Sequence, residues 1–82
     1  MTAHTHAILQ DMAVSLGWGF DCIHRYEFKE IRLTRGQHLI TVYLARDGRV
    51  RCAFRRRAPG ERRDVQIMGG RRGIINAMQA LK

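Results

Sequence analysis

Two turn signals bracket His38–Ala45, and each sets a strand register that has to agree with the other. In Ala45-Arg46-Asp47-Gly48-Arg49 the Asp-Gly pair suits a three-residue hairpin loop, with Arg46 and Asp47 in a type I turn and Gly48 in the left-handed position after it. That loop pairs Ala45 with Arg49 and sets Leu44 opposite Val50, Val42 opposite Cys52 and Ile40 opposite Phe54. Upstream, Arg35-Gly36-Gln37-His38 forms a two-residue hairpin turn with Gly at its first central position, placing Leu33 opposite Ile40 and Ile31 opposite Val42. The two turns agree on one apolar sheet face made of Ile31, Leu33, Ile40, Val42, Leu44, Val50, Cys52 and Phe54. The opposite, open face then carries Arg32, Thr34, Leu39, Thr41, Tyr43, Ala45, Arg49, Arg51, Ala53 and Arg55.

Helical signals flank these strands. From His6 to Leu16 the apolar residues Ile8, Leu9, Met12, Ala13 and Leu16 fall three and four apart and form one stripe, with Thr5 as N-cap and Gly17 and Gly19 ending the helix. Trp18 and Phe20 seal the core edge. After Phe54, residues 55–64 read as a basic loop around Pro59-Gly60; Val65 and Ile67 alternate as a short fourth strand. Gly69-Gly70 breaks that strand, and Arg71 to Lys82 is a helix with Ile74, Ile75, Met78 and Leu81 on one side. The expected fold is α+β: an N-terminal helix, a three- to four-stranded antiparallel meander and a C-terminal helix, with both helices on one face of the sheet. At 82 residues this is a single domain over 1–82, with 1–5 as a frayed tail.

Charge is the outlying property. Fifteen Lys and Arg against seven Asp and Glu give +8, and because only Lys29 and Lys82 are lysine, thirteen of the cations are arginine. Guanidinium forks suit bidentate contact with phosphate or carboxylate, and an excess of this size favours acidic partners. A genome rich in G and C produces the same bias without selection for binding. The N-terminus has no basic segment followed by an apolar stretch, so a cytoplasmic protein is expected. No run approaches the roughly 20 apolar residues of a membrane span. Two cysteines, Cys22 and Cys52, are too few for a disulfide framework and read as free thiols.

Binding is the chemistry these residues favour. Arginines hold phosphates while an aromatic ring stacks a base, so Tyr43 with Arg49, Arg51 and Arg55 on the open face forms a candidate nucleic-acid surface. The loop cations Arg55, Arg56, Arg57, Arg62 and Arg63 extend it. Arg71 and Arg72 sit where a helix N-terminus also attracts anions. The same face also reads as solvated surface or as a homodimer seam through Leu39 and Tyr43. His4, His6, Cys22, His24, His38 and Cys52 show no strong metal-ligand spacing, and neither metal nor other cofactor is expected. No Gly-x-Ser-x-Gly, His-Glu-x-x-His or P-loop occurs; a basic nuclease using His24, His38 and Glu27 or Glu30 is the only catalytic alternative, and a non-enzyme is expected.

The order helix, strands, helix resembles the double-stranded RNA-binding domain. Gly36-Gln37-His38 is similar to that family's Gly-Pro-x-His loop, and Arg71-Arg72 to its basic helix start; the resemblance implies minor-groove and phosphate contacts there. The chain departs from the family in lacking the loop proline, in having no further Lys from Gly73 to Ile75, and in its extra basic loop and fourth strand. The compact, Arg-rich chain also resembles small accessory proteins of bacteriophages. Together these features predict a small non-catalytic protein that binds DNA or RNA. The alternative is an inhibitor or adaptor, phage-encoded in its general look, that docks on an acidic host protein through Leu39 and Tyr43.

Overall fold

The structure is a computed structural model that describes residues 4–56 and 64–81. Helix α1 (His4–Leu16) leads into strands β1 (Gly19–His24), β2 (Phe28–Arg35), β3 (His38–Ala45), β4 (Val50–Arg56) and β5 (Val65–Gln66), followed by helix α2 (Gly70–Ala80). The strands pair antiparallel in chain order as a five-stranded meander. The α+β order predicted from the sequence is therefore the observed one, with one strand more. Among the described residues no helix is long and apolar enough to cross a membrane.

Helix α1 begins two residues earlier than its stripe suggests, so Thr5 is buried inside the first turn instead of capping it, and His4 and Thr5 are helix, not tail. Its end is a Schellman-type closure: the Trp18 N–H donates to the Ala13 carbonyl at 2.7 Å and the Gly17 N–H to Val14 at 3.3 Å. Gly17 supplies the left-handed residue this needs, at φ 78°. Trp18 is thereby turned into the core, where its indole N–H donates to the Met78 carbonyl at 3.3 Å. Gly19 does not end the helix; it opens β1 opposite Thr34, whose hydroxyl oxygen would lie 2.7 Å from any Cβ placed there.

Both turns behave as the sequence predicts. Arg35 pairs with His38, Leu33 with Ile40 and Ile31 with Val42. At the second turn the Ala45 N–H donates to Arg49 at 2.8 Å and Gly48 to Ala45 at 2.9 Å, and Leu44 faces Val50. The register then slips by one residue: Tyr43 faces Cys52, Thr41 faces Phe54 and Ile40 faces Arg55, leaving Arg51 as the extra residue of a β-bulge. Four residues change face as a result. Cys52 and Phe54 lie on the open face, Ala53 lies under the helices at 1% exposure, and Arg55 points to the helix side. The bulge trades a phenyl ring for a methyl group where the Ile67 N–H donates to the Ala53 carbonyl and α2 packs on β4, so the helix can sit close to the sheet.

The core joins Leu9 and Ala13 of α1 and Ile74 and Met78 of α2 to Ile31, Leu33, Ile40, Val42, Leu44 and Ala53 of the sheet, which places both helices on the same face. Arg55 and Arg56, read from the sequence as loop, belong to β4, and Asp64 directly precedes β5. Loop positions Arg57, Arg62 and Arg63 lie outside the described residues, as does Lys82.

Candidate nucleic-acid interface

The meander puts the β1–β2 and β3–β4 turns at one end of the sheet and the β2–β3 turn at the other. This separates the predicted arginines. Arg49 and Arg51 belong to the first end. Arg55 and Arg56 lie at the other, roughly 20 Å along a strand of this length. Arg71 and Arg72 are exposed in the first turn of α2, on the helix layer.

The open face is not the basic surface that the uninterrupted register suggests. Its middle is a groove of about 540 Å³ holding Asp21, Glu30 and Asp64 as well as Arg32 and Arg56. Glu30 is 7% exposed; the Arg32 guanidinium donates to it at 2.6 Å, and Arg25 stands 3.6 Å away. Arg56 donates to Asp64 at 3.1 Å. Arginines already satisfied by carboxylates are poor phosphate ligands, because a phosphate must displace the carboxylate before it gains the contact.

The turn end differs in both charge and shape. Arg25, whose N–H closes the turn on the Phe28 carbonyl at 2.9 Å, presents Tyr26 at 89% exposure. Beside it, His24, Arg25, Tyr26, Phe28, Lys29 and Arg46 line a recess of about 180 Å³ with no carboxylate in its wall. Phe28 also lines a second recess of about 250 Å³ with Tyr43, Arg51 and Cys52, so the two adjoin. Phe28 meets Tyr43 edge to face at 5.6 Å between ring centres, and Tyr43 meets Phe54 at 6.4 Å, a row of aromatics across β2, β3 and β4. Among the described residues Lys29, Arg46 and Arg51 have no carboxylate at ion-pair distance, whereas Arg49 stands 3.4 Å from Asp47.

His6 of α1 lies over β1, its ring 5.4 Å from Phe20. Burial pushes its imidazole below the usual value near 6.5, and the charges of Lys29 and then His24 push the same way. The consequence for stability has a definite sign. Below about pH 6.5 the unfolded chain takes up a proton at His6 that the folded chain still refuses, so this residue makes folding weaker as pH falls through that value. An NMR titration should place the His6 midpoint below that of a free imidazole and move it upward in Lys29→Gln; a midpoint at or above the free value contradicts this account.

Of the predicted residues, the structure brings Tyr43 and Arg51 together at one recess, with Arg49 nearby in the turn; Arg55, Arg56, Arg71 and Arg72 stand apart from it. Sequence reasoning missed Arg25, Tyr26, Phe28, Lys29, Arg46 and the aromatic role of Phe54. Phe28 was legible: carrying the Arg35–His38 register back along β2 pairs Phe28 with Ala45, diagonal to Tyr43. Phe54 was not, because nothing in Val50-Arg51-Cys52-Ala53-Phe54 marks the slip. Cys22, opposite Ile31 on the helix side, and Cys52 on the open face are both free thiols. No group of three His, Cys, Asp or Glu side chains among the described residues could hold a metal ion. Compared with known proteins, the chain matches no protein family, no curated protein and no solved structure.

Proposed function

We propose that this protein is a non-catalytic nucleic-acid-binding module whose contact surface is the turn end of the sheet. The observation that carries the reading is the recess whose wall holds no carboxylate and whose cations Lys29 and Arg46 have no carboxylate at ion-pair distance among the described residues, set beside exposed or half-buried aromatic rings. Cations placed in this way attract the phosphate backbone whatever its sequence, and the rings give bases a surface to stack on. Arg51 extends the charge along the start of β4, and the cations of 57–63 and of α2 add to the long-range field that steers a polyanion.

An acidic host protein as partner would have to use the same end, because the open-face groove around Leu39 carries Asp21, Glu30 and Asp64. The experiment is a titration of mixed-sequence single- and double-stranded DNA and RNA at two salt concentrations. Binding that weakens steeply as salt rises is expected, since each phosphate contact contributes a slope of about 0.7–0.9 in log affinity against log salt. Absence of salt-sensitive binding to all four polymers would end this reading.

A further inference from the structure

Resting on that reading, the geometry points to a more specific ligand: a single nucleotide unit of an unpaired strand, with its base in the recess of Phe28, Tyr43, Arg51 and Cys52 and its phosphate in the adjoining recess, on Lys29 and Arg46. The first recess, at about 250 Å³, falls just below the roughly 300–1,000 Å³ of sites for drug-sized molecules, a fit for one flat ring system. Its walls suit a base. Phe28 and Tyr43 offer ring surfaces, and Arg51, held out at the bulge with no carboxylate partner among the described residues, offers a planar guanidinium that stacks on a base or donates to the acceptors on its edge. The second recess supplies the charge, and Phe28, which lines both, keeps them one side chain apart.

A base paired and stacked within a duplex cannot enter such a recess, so the arrangement selects single strands. The bulge matters to this directly. By removing Phe54 from the core it completes the row Phe28, Tyr43, Phe54, and by leaving Arg51 unpaired in the ladder it brings that side chain to the recess wall.

The test uses the full chain and three fluorescently labelled probes of equal length: a mixed-sequence single strand, its duplex, and a fully abasic strand with the same phosphates. Measured by anisotropy at low salt, the intact single strand should bind about 10- to 100-fold more tightly than the abasic strand, the range expected for stacking of one base. It should also bind more tightly than the duplex. Tyr43→Ala should erase most of that advantage while leaving abasic binding unchanged. Cys52→Met, which fills the recess without removing a ring, should do the same and serves if Tyr43→Ala does not fold. Equal affinity for intact and abasic strands, or an intact-strand advantage that survives Cys52→Met, overturns the base site while leaving the electrostatic reading standing. Failure of all three probes to bind overturns both.

Discussion

Gly73→Ala should cost about 3 kcal/mol or more of folding stability, a large part of the roughly 5–15 kcal/mol a small domain has. Gly73 lies in the first turn of α2, where its N–H donates to the Gly69 carbonyl at 3.3 Å. The Met68 carbonyl crosses close over it. A Cβ at this position would sit 2.9 Å from the Met68 carbonyl carbon and closer still to its oxygen, with the Ile67 side chain at 3.5 Å. Backbone cannot rotate away as a side-chain tip can, so the start of the helix has to move. Ile74 and Met78, both fully buried, would move with it, and so would the Met78 carbonyl that accepts from Trp18. Urea unfolding followed by circular dichroism should show the loss as a lower midpoint. The control Asn76→Ala, on the exposed side of the same helix, should stay within about 0.5 kcal/mol of the parent. Equal midpoints for the two variants would mean that α2 does not depend on this close approach.

Neutralising Lys29, Arg46 and Arg51 together as glutamines should lower affinity for a single-stranded oligonucleotide by about 100-fold or more at low salt. It should also flatten the log affinity against log salt plot by about 1.5, because Lys29 and Arg46 are the two phosphate contacts removed and Arg51 faces the base. The matched pair Arg32→Gln and Arg56→Gln should change either quantity far less, because those guanidiniums already serve Glu30 and Asp64. A merely charge-driven, surface-wide attraction predicts the opposite: loss in proportion to the number of cations removed, wherever they stand. Binding isotherms of both variants at two salt concentrations separate the two. A loss per cation as large for the paired arginines as for the turn-end cations would remove the case for a localised site.

Turn chemistry made most of this architecture legible. Gly36 and Asp47-Gly48 act over a few bonds and fix pairings that run the length of β2 and β3, so the core positions Ile31, Leu33, Ile40, Val42 and Leu44 follow from local signals alone. Strand β1 was hidden because Gly19-Phe20-Asp21-Cys22-Ile23-His24 has little strand character of its own; it is held by pairing with β2 on one side and by α1 above it. The slip at Arg51 was hidden for a different reason. Val50, Cys52 and Phe54 alternate well, and no local feature marks the point where the pairing slips and Ala53 is buried beneath the helices. The candidate site was read on the uninterrupted register and without β1. It was drawn on the open face with Arg55 included, whereas Lys29, Arg46 and Arg51, cations without a carboxylate partner among the described residues, gather at the turn end.

The slip also means that β4 carries two messages in different phase. Ahead of Arg51, residues of even number turn toward the helices, as Val50 does; beyond it, residues of odd number do, as Ala53 and Arg55 do. One codon therefore acts as a frame marker for a surface. With it, the open side of the sheet displays Cys52 and Phe54; without it, the same letters would present Ala53 and Arg55 and send the phenyl ring under the helices. A length change of one residue at this point would rewrite the chemistry of a whole face while altering almost none of the composition, a form of variation to which counts of charge and hydrophobicity are blind.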